Sequence, residues 1–316
     1  MKKVLTIMIP AYNEQEVLPH LFERLNQVTT TLTNYEVELL FINDGSRDET
    51  LPILYRQAQE QPNISIVDLS RNYGKEVAML AGFDYVQGDA VIIIDADLQD
   101  PPELIPEMVQ YWEQGYDDVY AERRSREGET WLKKWTSKTY YRLLAKLSNV
   151  PVQKDTGDFR LLDRKCIEAI RQLRESQRYT KGMFSWIGFK KKEILFDRDP
   201  RVAGETKWNY LKLFDLAIDG LTSSTVAPLR LSSVIGFVFS ICAFLYLFFV
   251  ILKTLLFGEP VQGYPSLMAV ILFLGGIQLL SLGIIGEYIG KIFYETKNRP
   301  VYFTQQVVQA KLKNHQ

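Results

Sequence analysis

The chain has 316 residues, of which 47% are hydrophobic and 24% are charged, and its formal net charge is −1. This composition excludes an intrinsically disordered protein, and we expect no nucleic-acid partner. The only histidines are His20 and His315, which excludes a histidine-based zinc site and a Ser-His or Cys-His triad. Cys166 and Cys242 fall in different predicted regions, so no disulfide is expected.

Up to about residue 120, short β-branched runs alternate with helix-like segments, which is typical of a mostly parallel sheet flanked by helices. The predicted strands are VLTIMIP, VELLFIND, ISIVDL, AVIIID and DDVYA. Capping boxes predict three helix starts, at Asn13 with Glu16, at Ser46 with Glu49 and at Asp100 with Glu103. The first part of the chain is therefore predicted to be an α/β domain.

Asp95 and Asp97 directly follow the fourth predicted strand, in the stretch IIIDADLQDPPE. Open α/β sheets bind ligands at the carboxyl ends of their strands, and two carboxylates this close repel unless a cation lies between them. We therefore predict a Mg²⁺ or Mn²⁺ site, completed by Gln99 and substrate phosphates, although surface acidic pairs are also common. Asn43 and Asp44 end the second strand at the same edge, where an ordinary turn is the alternative.

A segment at about 128–147 combines Trp131 and Trp135 with several Lys and Arg residues. Helices that rest on anionic headgroups at a membrane surface have this composition. The alternative is a soluble helix whose tryptophans pack against the sheet. Both readings place a helix here.

Two long stretches without a charged residue follow, at about 231–252 and 264–286. At about 1.5 Å rise per residue, each can cross a hydrocarbon core of about 30 Å. Arg230 precedes the first stretch and Lys291 follows the second, whereas the loop between them has only Lys253, balanced by Glu259. Because Lys and Arg are enriched on the cytoplasmic side of a membrane, this pattern places both termini in the cytoplasm. We predict a multi-pass protein of the inner or plasma membrane, with a cytoplasmic domain at 1–228, membrane helices within 229–290 and a cytoplasmic tail at 291–316.

Four motifs follow the first four predicted strands in order: IPAYNE, NDGSRDET, RNYGKEVAMLAG and DADLQDPPE. Over roughly residues 4–125 this set resembles inverting family 2 glycosyltransferases, which have a Rossmann-like GT-A fold. TGDFRLLDR at 156–164 and RVAGETKWNYLKL at 201–213, followed by two spans, resemble the polyprenyl-phosphate branch of that family. That branch includes dolichyl-phosphate mannose synthases and bacterial undecaprenyl-phosphate sugar transferases. Thr206 replaces the usual Ser of the last motif and retains a hydroxyl.

The resemblance implies a set of site residues. The donor nucleotide would contact Pro10, Ala11, Tyr12, Glu14, Asp44, Lys75, Asp95 and Ala96, and the metal would be held by Asp95, Asp97 and Gln99. Phosphates of donor or acceptor would contact Arg123, Arg124, Arg201 and Lys207, and the implied catalytic residues are Asp97, Asp158 and Arg160. The role of Asp158 stays open between a base, an acceptor for a sugar hydroxyl and an orienter of Arg160, with a local Asx turn as the alternative.

The implied reaction moves a sugar, with inversion, from a nucleotide-diphosphate sugar to a polyprenyl phosphate at the cytoplasmic membrane face, for cell-envelope glycosylation. The two-span tail favours a UDP-sugar over a GDP-sugar and undecaprenyl phosphate as the lipid, whereas the sugar is not determined. One alternative is a membrane polysaccharide synthase with the same donor site. Another is a non-catalytic membrane protein that binds nucleotide sugars. The sequence leaves open whether the protein forms a homo-oligomer.

Overall fold

The computed structural model describes residues 2–124, 156–176, 178–197, 227–257 and 263–312. The chain forms two compact units. The first comprises Met1–Lys146, Val150–Lys212 and Arg299–Gln316, and the second comprises Leu147–Asn149 and Leu213–Asn298.

One mixed sheet forms the centre of the first unit. Its described strands are β1 (Val4–Ala11), β2 (Glu36–Asn43), β3 (Ile64–Leu69), β4 (Ala90–Ile93), β5 (Asp118–Arg123), β6 (Thr156–Asp163), β7 (Lys191–Phe196) and β8 (Thr304–Val308), in the order β7-β5-β6-β4-β1-β2-β3-β8. β1 pairs in parallel with β2 and β4, β2 with β3, and β5 with β7, whereas β6 and β8 run antiparallel to their neighbours. The predicted sheet and its five predicted strands are confirmed.

Helices cover both faces of this sheet. They are α1 (Leu18–Thr31), α2 (Thr50–Glu60), α3 (Lys75–Tyr85), a 3₁₀ helix (Pro102–Leu104), α4 (Ile105–Glu113), α5 (Arg164–Arg171) and α6 (Thr180–Trp186). Successive side chains of a strand point to opposite faces, so each buried strand supplies two cores. In β2, Leu39 and Phe41 join a core with α1, α2 and α4, whereas Leu40 and Ile42 join a second core with α3, α5 and α6.

The predicted capping boxes at Asn13 and Ser46 are wrong, whereas the one at Asp100 stays a prediction. Neither α1 nor α2 has a side-chain cap at its first turn. The loops after β1 and β2 use these polar groups instead: the Asn13 N–H donates to Ser46 Oγ at 3.0 Å, and Asn13 Oδ1 accepts from the Arg47 N–H at 2.9 Å. Side chains that the sequence assigns to helix starts therefore join two loops at the carboxyl edge of the sheet.

The segment after residue 300 returns to the first unit. β8 pairs with β3 as the last strand of the sheet and aligns Val308 with Ile66. Nearby, the Tyr302 hydroxyl donates to Asp84 Oδ2 at 2.8 Å. The C-terminal segment thus belongs to the same sheet as the N-terminal strands.

The second unit contains two long helices, α7 (Ala227–Phe257) and α8 (Tyr264–Thr296). They contact each other through Phe239 and Phe273, whose ring centroids lie 5.1 Å apart. Many large apolar side chains are exposed on both helices, among them Phe237 at 68% and Leu279 at 71%. Exposed apolar surface of this extent is typical of helices that face lipid.

Within the described part of the chain, the stretch Phe273–Thr296 of α8 is long and apolar enough to cross a membrane. The predicted span at 231–252 lies inside α7 and stays a prediction, as does the division of the chain at 228 and 290. The predicted interface helix at about 128–147 lies outside the described residues.

Candidate active site

The end of β1 forms one side of the candidate site. Pro10 and Ala11 are its last two residues and pair with the end of β2. Tyr12 follows with a 39% exposed side chain, and Glu14 is partly buried, with its N–H donating to Thr50 Oγ1 at 2.8 Å. An aromatic ring exposed at a strand end offers a face on which a base can stack.

Asp44 joins the loops that follow β2 and β3. It is only 3% exposed, and its two carboxylate oxygens accept the N–H groups of Tyr73 at 2.7 Å and Gly74 at 2.9 Å. Burial raises the pKa of Asp44, although the two hydrogen bonds act in the opposite direction. Asp44 therefore fixes the backbone immediately before Lys75.

The Lys75 ammonium lies between two carboxylates. Nζ is 2.6 Å from Asp95 Oδ1, after β4, and 2.5 Å from Asp158 Oδ2, in the neighbouring strand β6. Burial alone would lower the pKa of Lys75, but the two carboxylates raise it above its ordinary value. Burial alone would raise the pKa of Asp158, but Lys75 and Lys181 hold it below its ordinary value. The three side chains therefore form one charged group at the carboxyl edge.

The residues after Asp95 form a tight turn. Ala96 is buried, and Asp97 Oδ1 accepts the Gln99 N–H at 3.2 Å. Leu98 has a φ of 58°, a left-handed conformation that is uncommon for leucine and costs about 1–2 kcal/mol. The surrounding contacts must hold this shape, which keeps the two aspartates and the glutamine on one short turn.

Glu76 connects the start of α3 with α6. Its carboxylate accepts the Thr180 N–H at 2.9 Å and also the Thr180 hydroxyl. Burial raises the pKa of Glu76, and the two hydrogen bonds from Thr180 oppose that effect. The contact fixes the position of Lys181, whose charge acts on Asp158.

Arg160 lies two residues after Asp158, so both side chains lie on the same face of β6. Its side chain is fully buried, and Nη1 lies 3.1 and 3.3 Å from the two oxygens of Asp118, which is also fully buried. The guanidinium stacks on the Phe184 ring at 3.9 Å from its centroid, and Lys191 Nζ lies 3.7 Å from Asp118. The predicted catalytic Arg160 is thus part of a buried ion pair.

The four residues predicted to contact phosphates are separated in the sequence from the group formed by Lys75, Asp95 and Asp158. Arg123 ends β5 and is partly buried, whereas Arg124 is exposed and its Nη1 lies 3.2 Å from Asp197 Oδ2. Arg201 and Lys207 lie outside the described residues. Their roles stay predictions.

Family models match both parts of the chain. The model described as "Glycosyl transferase family 2" matches residues 6–171, which is more than half of the chain. The chain belongs to glycosyl transferase family 2. A second model, described as "GtrB C-terminal hairpin", matches residues 227–292 of this glycosyltransferase. The predicted resemblance to family 2, and with it the prediction of an enzyme, is confirmed.

Relatives cover nearly the whole glycosyltransferase. It is 52% identical to an uncharacterized glycosyltransferase of Synechocystis sp., over 94% of this chain and 93% of that protein. It is 43% identical to a prophage bactoprenol glucosyl transferase homolog of Escherichia coli, over 96% and 99%, and 43% identical to the bactoprenol glucosyl transferase of Shigella phage SfII, over 94% and 96%. A solved structure of Mycobacterium tuberculosis glucosyl-3-phosphoglycerate synthase, in complex with Mn²⁺, UDP-glucose and phosphoglyceric acid, is similar with a TM-score of 0.46 and 15% identity, over 70% of this chain and 78% of that one.

The turn after Asp95 fits a divalent ion that takes some of its oxygen ligands from a substrate. Among the described residues, no group of three or more His, Cys, Asp or Glu side chains could hold a metal ion. The turn offers the carboxylates of Asp95 and Asp97 and the amide of Gln99, which are hard oxygen donors. Mg²⁺ is often bound through one or two carboxylates together with substrate phosphates. The Lys75 ammonium on Asp95 indicates that this carboxylate attracts positive charge.

Sequence reasoning missed several residues of this glycosyltransferase. Asp118 was not singled out, although Asp118 and Arg160 are opposite charges within apolar strand runs, and that pattern could have indicated a buried pair. Glu76, Thr180 and Lys181 gave no comparable signal, because the contact joins segments about a hundred residues apart in the chain.

Gly45 allows a close backbone approach beside Asp44. Its φ is +62°, and an added Cβ would lie 2.3 Å from the Arg71 carbonyl carbon. Since backbone cannot yield as a side chain can, we expect Gly45→Ala to destabilise the protein by more than the about 1–2 kcal/mol of left-handed strain. Gly115→Ala is the matched control, because Gly115 has a φ of +86° with nothing within 4 Å. Thermal unfolding checks this, and equal losses in both variants would contradict the close approach.

Proposed function

We propose that this glycosyltransferase moves a sugar, with inversion, from a nucleotide-diphosphate sugar to a polyprenyl phosphate. The full-length similarity to proteins named bactoprenol glucosyl transferases, at 43% identity, carries the proposal. The match includes the C-terminal hairpin region as well as the family 2 domain. In this proposal the donor is a UDP-sugar rather than a GDP-sugar, and the lipid is undecaprenyl phosphate.

The proposed donor site follows the carboxyl edge of β1, β2 and β4. The nucleotide would contact Pro10, Ala11, Tyr12, Glu14, Asp44, Lys75, Asp95 and Ala96, and Asp95, Asp97 and Gln99 would hold Mg²⁺ or Mn²⁺. When bound, a divalent ion stabilises the negative charge that develops on the leaving diphosphate. Lys75, whose ammonium contacts Asp95, and Lys181, whose charge acts on Asp158, would add positive charge there.

The chemistry requires an in-line attack by a phosphate oxygen of the lipid on the anomeric carbon. The new carbon–oxygen bond forms on the face opposite the diphosphate as the old bond breaks, which inverts the anomeric configuration. A phosphate monoester has a second pKa of about 6 and is already largely dianionic at neutral pH, so no proton has to be removed from it. Arg123, Arg124, Arg201 and Lys207 are the proposed contacts for phosphates, because cationic side chains bind phosphate oxygens.

A membrane location follows from this acceptor and from the candidate span in α8. We propose two spans with the catalytic domain and both termini in the cytoplasm, and a product that serves cell-envelope glycosylation. The segment at about 128–147 would rest on the headgroups and bring the lipid phosphate to the domain. Anionic lipids attract such basic and aromatic segments.

The proposal is tested with a panel of radiolabelled sugar nucleotides. The purified full-length protein is incubated with UDP-glucose, UDP-N-acetylglucosamine or GDP-mannose, together with undecaprenyl phosphate and Mg²⁺ or Mn²⁺, and the organic phase is counted. We expect label in that phase with a UDP-sugar, and none without the lipid. Donor hydrolysis without any labelled lipid across the panel would contradict the proposed acceptor.

A further inference from the structure

We propose that Asp158 binds a hydroxyl group of the transferred sugar through Oδ1 and thereby selects the sugar, with Lys75 as its positioning residue. This inference deepens the proposed function and rests on it. It assigns Asp158 to the recognition of the donor and not to the removal of a proton.

The first observation is that one oxygen of Asp158 is occupied and the other is not. Oδ2 lies 2.5 Å from Lys75 Nζ. Oδ1 is buried, and no hydrogen-bond donor in the described ranges reaches it. Asp158 as a whole is only 7% exposed, so bulk water does not replace a missing partner. A buried carboxylate oxygen without a donor is unfavourable, which indicates that a ligand supplies one.

The second observation is where this oxygen lies. Lys75 contacts Asp95 and Asp158 through the same nitrogen, so Asp158 lies beside the turn that we assign to the donor diphosphate. The transferred sugar is bonded directly to that diphosphate. A hydroxyl group of its ring is therefore the nearest part of the donor that can reach Asp158.

The hydrogen-bonding chemistry of the substrate groups shows which of them can be the partner of Asp158 Oδ1. A carboxylate oxygen needs an N–H or O–H donor, whereas the donor diphosphate and the lipid phosphate present negatively charged acceptors that it would repel. Sugar hydroxyl groups are donors. Lys75 holds Oδ2 and so leaves Oδ1 as the oxygen that meets the sugar.

The selection is tested with UDP-glucose and its 2-, 3-, 4- and 6-deoxy forms, or with the same series of whichever panel donor binds most tightly. Affinity is measured without lipid and kcat/KM with undecaprenyl phosphate. For the wild type, we expect one deoxy form to lose about 10- to 100-fold, because a buried charged acceptor is then left unpaired. In Asp158→Ala the loss at that position should fall below about 3-fold. Asp158→Asn, which keeps the shape of the side chain, should give an intermediate loss.

Two results would overturn the inference. One is a wild-type protein that binds all four deoxy forms within about 3-fold of the unmodified donor. This measurement needs no variant, so it tests the inference even when a variant fails to fold. The other is a full deoxy penalty that persists in Asp158→Ala while turnover falls equally for every donor, as a general base requires. The exposed Glu107→Ala should keep the wild-type pattern. Because affinity is read without lipid, absent lipid labelling contradicts the proposed acceptor alone.

Discussion

Asp97→Ala is expected to lower kcat/KM for lipid glycosylation by about 10³-fold or more. In the proposed function, Asp97 would help to hold a divalent ion that stabilises the charge on the leaving diphosphate, and such stabilisation is worth several kcal/mol in the transition state. At 1.36 kcal/mol for each factor of ten, a loss of about 4 kcal/mol gives this effect. The measurement is labelled product in the organic phase as Mg²⁺ or Mn²⁺ is titrated.

Glu107→Ala provides the matched control, since Glu107 is an exposed acid on α4 outside the site. It should retain wild-type turnover and wild-type metal dependence. The thermal unfolding of both variants should stay close to the wild type, because Asp97 is only partly buried. Full activity of the wild type in excess chelator, or of Asp97→Ala, would count against the proposed metal site.

The strands could be predicted from the sequence because their pattern depends on burial. Runs such as VLTIMIP and VELLFIND carry apolar side chains on both faces, as strands covered by helices on both sides require. Helix starts could not be predicted in the same way. Asn13 and Ser46 match a capping pattern, but the folded chain uses them between two loops that are more than thirty residues apart. A local sequence pattern does not show that a residue far away in the chain competes for the same side chain.

The grouping of some candidate site residues could be predicted as well, because parallel strands bring their carboxyl ends to one edge of the sheet. That rule places Asp44 and Asp95 together. It does not place Asp158, which lies on a strand that enters the sheet antiparallel, between β4 and β5. The order of strands along the chain does not show this insertion, so the shared contact of Asp95 and Asp158 with Lys75 emerges only from the structure.

Arg160→Met is expected to destabilise the protein by about 3–5 kcal/mol. Within the described ranges, the substitution leaves the fully buried Asp118 with Lys191, at 3.7 Å, as its remaining ion-pair partner. Breaking a buried pair by removing one partner has this cost because an uncompensated charge remains in the core. Burial raises the pKa of Asp118, and the charges of Arg160 and Lys191 act in the opposite direction. Thermal unfolding of the full-length protein in detergent measures the loss.

The double variant Arg160→Met/Asp118→Leu separates a structural role of Arg160 from a catalytic one. Replacing both partners by apolar side chains removes the unpaired charge, so most of the stability should return. If Arg160 acts only by holding β6, and with it Asp158, kcat at a temperature below the unfolding transition should return as well. A double variant that is stable but remains as inactive as the single one would instead show that the guanidinium takes part in the reaction. Asp118→Leu alone should be destabilised like Arg160→Met, because it leaves the Arg160 charge buried on the Phe184 ring.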